Sequence, residues 1–485
     1  RSAADSKYSR PQFWRACSLQ AQRLILEAAL SEFAQFVEAA ATAEHRDDEL
    51  MYNFGDRIID RIESLDADIL GSALRAHALL GFRNDRVLGK LEVLLLEMMQ
   101  QSRITASGLA ASIWSLAKLY DVQCAALPSH DLLDAIGRMV AEHVNFFSVP
   151  QLCQVLDAFA IYPMRDDHQT SVMLAGISTV LSREIRRVSA AQCASASHAF
   201  AKCRVHDEHL LSALGRRLRD QDIRDELGPH DLANVLYGLA KFTCQDTALL
   251  DILSIEARRR LHLMDVPLVS STLASLAKTG ISSQVLTSRA AVQLRRAAPE
   301  TLDAASVKEL STLAMAFGKL QTRDQKLFGI LAEAFLRRPD DLFFEQPCEE
   351  LVSIIHAFTK VHVAPPKLFR AIAQVLFERF DEITPQDVVR LLHAIAKVEY
   401  VLPIGLQERI GEALQASTVH KLSVFELLKV STATRRLGLE VPAVEAQVSA
   451  VLPHEARGNS EFSMARSKAP WEKRRKSARK RKWTW

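Results

Sequence analysis

Leu232-Ala233-Asn234-Val235-Leu236-Tyr237-Gly238-Leu239-Ala240-Lys241 is the clearest copy of a motif, L-A-x-x-L-x-x-L-A-K, that returns about every 40 residues. Its last position falls at Lys118, Ile161, Lys202, Lys241, Lys278, Lys319, Lys360 and Lys397, with degenerate copies ending at Gly81 and Arg435. Successive copies lie 37 to 43 residues apart. A unit this short cannot bury its own apolar face, so a fixed period in this range means a stack in which each repeat leans on the next. Leu232, Leu236 and Leu239 stand at i, i+4 and i+7, the spacing of one apolar helix face.

Each repeat reads as two antiparallel helices. The first carries the motif and starts at signals such as Ser148-Val149-Pro150, Gly228-Pro229 and Thr384-Pro385, where proline suits the first helical turn. Small residues just before the motif's last position (Ala117, Ala160, Ala201, Ala240, Ala277, Gly318, Ala396) leave room for a neighbouring helix. A short polar or proline-containing turn follows, as in Thr243-Cys244-Gln245-Asp246, and then a second amphipathic helix such as Thr247 to Leu261 or Lys367 to Phe380. No segment alternates with a period of two for long enough to predict a strand. The expected fold is all-α, an α-solenoid of about 9–10 two-helix repeats of roughly 37–43 residues.

Outside the array, residues 1–65 read as a helical N-terminal cap, 66–452 as the solenoid, 453–470 as a linker and 471–485 as a basic, aromatic tail. Hydrophobic content of 48% with only 17 Gly and 16 Pro suits a helical chain. No uncharged apolar stretch reaches the length of a membrane span. The seven cysteines are scattered without a C-x-x-C pair, which predicts reduced thiols in a non-secreted protein. Net charge is +3, yet the last 20 residues alone carry +9, leaving the rest at about −6. Polyanion contact through the body must therefore use a local stripe and not a global field. The opening Arg1-Ser2-Ala3-Ala4 is compatible with the end of an organellar transit peptide.

The signature helices Leu109–Lys118 and Leu232–Lys241 resemble those of octotricopeptide and heptatricopeptide repeat proteins and of the repeat region of FAST-kinase-like and RAP-domain proteins. The resemblance covers roughly residues 70–440. It implies an organellar protein that associates with transcripts or ribosomal RNA, as some such proteins do within mitochondrial ribosomes. The chain departs from the pattern in lacking the strands of a RAP domain after residue 440, which argues against RNA processing.

Candidate sites follow from the repeat. The lysine that ends seven of eight motifs would offset the helix macrodipole, or form a ladder of phosphate contacts. Seven residues before it lie Ala111, Gln154, Ser195, Asn234, Ser271, Thr312, Ser353 and Arg390; four before it lie Trp114, Asp157, His198, Tyr237, Ala274, Met315, His356 and His393. These columns share one helix face. Variable side chains on a constant scaffold are what one-base-per-repeat RNA readers use, and Gln154, His198, Asn234, Tyr237, His356, Arg390 and His393 are the expected contacts. The alternative is that this face packs beneath a neighbouring repeat. In the tail, Lys473, Arg474, Arg475, Lys476, Arg479, Lys480, Arg481 and Lys482 between Trp471, Trp483 and Trp485 would neutralise phosphates and stack on bases. A nuclear localisation signal is the competing reading.

Nothing in the sequence has the spacing of a catalytic motif. Cys203, His206 and His209 share a turn but match no zinc pattern, so neither metal nor cofactor is expected. The leading expectation is a non-catalytic constituent of a mitochondrial ribonucleoprotein, most plausibly the mitoribosome. Its tail would anchor to ribosomal RNA, with ribosomal proteins as neighbours, a location in the matrix and no small-molecule substrate. The alternatives are a stand-alone organellar RNA-binding factor and a HEAT-like protein scaffold, the last with a nuclear location open to it.

Overall fold

The computed structural model describes residues 11–24, 27–122, 126–162, 168–281, 283–338, 341–415 and 419–451. The expected linker 453–470 and tail 471–485 lie outside them. Among the described residues there are helices and no strands. After α1 (Pro11–Arg23) the chain runs as antiparallel pairs, each a first (A) and second (B) helix. They are α2 (Leu30–Thr42) with α3 (Asp48–Asp60), α4 (Ala67–Leu80) with α5 (Asp85–Gln100), α6 (Ala106–Asp121) with α7 (His130–His143), and α8 (Val149–Ile161) with α9 (His168–Arg183). Next come α10 (Ala190–Lys202) with α11 (Glu208–Arg217) and α12 (Pro229–Lys241) with α13 (Thr247–Arg260). The remainder are α14 (Val266–Thr279) with α15 (Gln284–Arg296), α16 (Val307–Lys319) with α17 (Gln325–Leu336), α18 (Cys348–Lys360) with α19 (Pro366–Glu378), α20 (Pro385–Val398) with α21 (Ile404–Ala413), and α22 (Val424–Leu437) with α23 (Pro442–Val451). Short helical turns between pairs are left unnumbered.

The chain divides into two compact units, the second taking up at Asp265 near the start of α14. In each, A helices stack on A helices and B on B, the architecture of an α-solenoid. Among the described residues eleven pairs are present where the motif alone indicates nine or ten. The additional one, α2 with α3, lies inside the expected cap and packs on α4 as the later A helices pack on one another.

Helix boundaries follow local chemistry. Ser189 and Gln192, Ser306 and Glu309, and Ser423 and Glu426 form capping boxes that satisfy orphan amides at the starts of α10, α16 and α22. Many A helices end in a left-handed residue two positions after the motif's last residue: Arg204, Thr243, Gln321, His362 and Glu399, with φ between 51° and 59°. Gly81 and Gly438 have the same conformation. They are therefore turn residues, and the degenerate motifs end at Leu79 and Arg436 and not at Gly81 and Arg435. Without the closing lysine, a nearby glycine in one copy and a doubled arginine in the other hide the register.

The A layer is the tighter one. Three residues before the motif's end the chain has Ala39, Ala76, Ser115, Ala158, Ala199, Gly238, Ser275, Ala316, Ala357, Ala394 and Ala433, all buried. At Gly238 a Cβ would lie 2.5 Å from the Ser197 carbonyl oxygen of α10, so the α12 backbone rests directly on its neighbour. Gly238→Ala should gain about 1 kcal/mol of helix propensity but lose more through overpacking, typically about 1–3 kcal/mol. The expected outcome is a net loss of up to about 2 kcal/mol on urea unfolding. An unchanged or raised midpoint would show that the backbones have room to part.

The B layer is joined by arginines that reach back to the turn before their own pair. Arg217 donates to the Val188 carbonyl at 3.2 Å, Arg338 to Leu302 at 3.3 Å and Arg379 to Gln346 at 2.7 Å. Carbonyls left over at the B-to-A turn thereby find a charged donor.

Candidate nucleic-acid interface

On the A helices the apolar residues point into the stack, and an open stripe remains at the motif's last position and four and seven residues before it. Side chains in the two columns are half-buried in all the motif-bearing pairs, including Gln154, His198, Asn234, Tyr237, His356, Arg390 and His393. They are neither core nor fully solvated. Within each unit the two columns share one face.

In the first unit the column is a chain of contacts from one helix to the next. Arg75 pairs with Glu38 at 3.6 Å, and its guanidinium lies 5.6 Å from the Trp114 ring centroid. Asp157 accepts a hydrogen bond from Ser195. The His198 and Tyr237 rings stand 5.4 Å apart, with Lys202 Nζ 5.9 Å from the Tyr237 ring. Asn234 bonds to His230 at 3.2 Å. Burial raises the Asp157 carboxyl to about 6 against the pull of Ser195, with Asp231 adding to the rise. Burial, then Lys202 and His230, lower His198 to about 4, so the ring is neutral at pH 7.

The second unit is electrostatically different. His356 is lowered to about 4 by burial first, then by Lys360, Lys397, Arg390 and His393. His393 is lowered to about 4 by burial, Lys397, Lys429 and Arg436. Lys360 is lowered by burial and by Lys319 and Lys397, and Lys397 by burial and Lys429. Cations of successive A helices thus lie within each other's field. Among the described residues, His356 Nδ1 is buried without a hydrogen-bond partner. Arg390 is not available as a free cation: it binds Asp387 at 3.0 Å, Glu349 at 3.4 Å and Ser353 Oγ at 2.9 Å.

The sequence pattern names the columns but misses Lys429 and Arg436, because Arg435 beside Arg436 suggests a last motif one residue shorter. The tail residues Trp471, Lys473, Arg474, Arg475, Lys476, Arg479, Lys480, Arg481, Lys482, Trp483 and Trp485 fall outside the described residues.

The turn with Cys203, His206 and His209 is otherwise employed. The Cys203 thiol is buried 3.9 Å from the Phe159 carbonyl oxygen and is raised to about 11 by burial. His206 packs edge-on against Phe242 at 5.3 Å, and Asp207 caps α11. Among the described residues no helix is long and apolar enough to cross a membrane.

Comparison with curated proteins gives no match. A family profile described as RNA-editing substrate-binding complex 6 protein matches residues 114–416, more than half of the chain and most of the motif-bearing pairs. The RNA association expected from the helical repeat agrees with that description, and the chain belongs to the RNA-editing substrate-binding complex 6 protein family.

Proposed function

We propose that this chain is a non-catalytic RNA-binding component of an organellar ribonucleoprotein, holding single-stranded RNA along the open stripe of its A helices. The observation that carries the reading is the stripe within each unit, where half-buried planar or amide side chains, the neutral His198 with Tyr237 and Asn234 in the first and the neutral His356 and His393 in the second, stand beside the motif's lysines. Planar groups offer stacking surfaces for unpaired bases, amides offer base-edge hydrogen bonds, and lysines neutralise phosphate. The family's description speaks of an RNA-editing substrate complex. It favours a substrate-RNA binder over the mitoribosomal constituent expected from the basic tail. A mitochondrial matrix location and the absence of a cofactor belong to the same proposal.

Tyr237 is the most informative residue to test. Tyr237→Ala removes one stacking surface, worth about 1–3 kcal/mol per base, so affinity for its preferred RNA should drop about 5- to 150-fold. Fluorescence anisotropy of the full-length protein with labelled single-stranded RNA of several sequences measures this. Affinity within two-fold of wild type for every RNA would remove the stripe from consideration. Partners retained after RNase treatment, with no RNA binding at all, would favour the HEAT-like scaffold.

A further inference from the structure

We propose that Lys319, Lys360 and Lys397, continued by Lys429 and Arg436, form a track in the second unit that grips the sugar-phosphate backbone of single-stranded RNA without reading its sequence. This rests on the RNA-binding reading above and assigns one chemical part of the ligand to one part of the protein.

Three observations carry it. First, the repeat sets Lys319, Lys360, Lys397 and Arg436 at equivalent positions on α16, α18, α20 and α22, so they form a row on one open face, with Lys429 two turns below Arg436. Second, among the described residues Lys319, Lys360 and Lys397 have no ion-pair partner, and the charged groups that perturb Lys360 and Lys397 are all lysines. Glu349 and Asp387, acids on the same helices, are already occupied by Arg390. Only at the far end does an acid, Glu426, feel Lys429, and it is itself bound to Ser423 in the cap of α22. Third, the first unit does not repeat the arrangement. Lys118 pairs with Asp121 at 3.7 Å, and a carboxylate, Asp157, sits in the column itself.

A cation at the end of each helix would be accounted for by the helix dipole alone. That account gives no reason for Lys360 and Lys397 to stand half-buried in one another's field with no ion-pair partner among the described residues. A polyanion laid along the row turns mutual repulsion into attraction at every step, and a phosphate backbone supplies one negative charge per nucleotide.

The test compares wild-type full-length protein with K360Q/K397Q and with K360R/K397R, measuring binding of three unrelated single-stranded RNAs at several salt concentrations. The glutamine variant should lose affinity about ten-fold or more, by the same factor for all three RNAs. Its log–log salt dependence should be shallower by about 1.4, or about 0.7 for each phosphate no longer neutralised. The arginine variant should keep both affinity and slope. The melting temperature of the glutamine variant should stay level or rise, since it removes repulsion. An unchanged slope in a variant of unaltered circular dichroism would overturn the track while leaving Tyr237-dependent binding intact. Displacement of RNA by polyglutamate as effectively as by competitor RNA would overturn it in favour of an acidic protein segment. A wild-type protein that binds none of the RNAs would remove the broader reading as well.

Discussion

Phe358→Ala should cost about 3–5 kcal/mol of stability. Phe358 is fully buried and joins three helices. Its ring stands 5.2 Å from Phe328 and 6.4 Å from Phe335, both on α17, and 6.4 Å from Phe369 on α19. Phe369 in turn meets Tyr400 at 5.2 Å. Truncation therefore loses the buried area of one side chain and leaves a cavity bounded by two successive pairs, which a stack held by backbone-close A helices cannot collapse to fill. Stability in a repeat array is a sum of intrinsic and nearest-neighbour terms, so the loss should be local. Hydrogen exchange should accelerate first in α17 to α19, with the first unit unaffected. Uniform acceleration across both units would show that cooperativity spans the chain.

Acidification should loosen α18 and α20 before α8 to α12. His198, His356 and His393 have folded values of about 4 against 6.5 unfolded. The unfolded chain therefore binds more protons between those limits. Their contribution to stability is complete above pH 6.5 and is lost as pH falls toward 4. At pH 5 the loss is on the order of 1–2 kcal/mol per histidine once partial solvent screening is allowed for. Asp157 on α8 acts in the opposite sense. Its folded value of about 6 lies above the unfolded 3.8, so its burial cost is present above pH 6 and is relieved as pH falls. Beside α10 this relief offsets much of the His198 loss. The stripe of α18 and α20 carries two such histidines without that compensation. His77 in α4 is lowered by burial too, and that helix should weaken in acid on its own account. Hydrogen exchange at pH 7.5 and pH 5.0, corrected for the intrinsic rate, measures the difference. Equal loss of protection in α8 to α12 and in α18 and α20, or a gain in the latter, would sink the argument.

The fold is legible because each repeat restates it. Leu232, Leu236 and Leu239 give the apolar face, and the period gives the stacking. The position that sets the spacing is less visible. The pattern points to residues such as Ala240 and Gly318 near the motif's end, whereas the closest backbone approach is at Gly238. Both classes are small, and composition alone does not say which one touches the neighbour. The columns at the candidate interface are readable as columns, since three residues apart means one helix face. Their partners are not. That Arg390 is neutralised by Glu349, or that the charges perturbing Lys360 are Lys319 and Lys397, depends on neighbours a whole repeat away, which no local pattern reveals.

The backbone contact at Gly238 and its small counterparts separates two kinds of evolutionary freedom. Where Gly238 meets Ser197 the spacing of the A helices is set by main chain and small side chains in the seam, and Tyr237 and Asn234 lie outside that contact. Substitutions at Tyr237, His356 or Asn234 can then alter what is recognised while the ruler that places each reading point stays the same length. Paralogues of such a protein could diverge in ligand preference one position at a time, with no need to re-evolve the scaffold at each step.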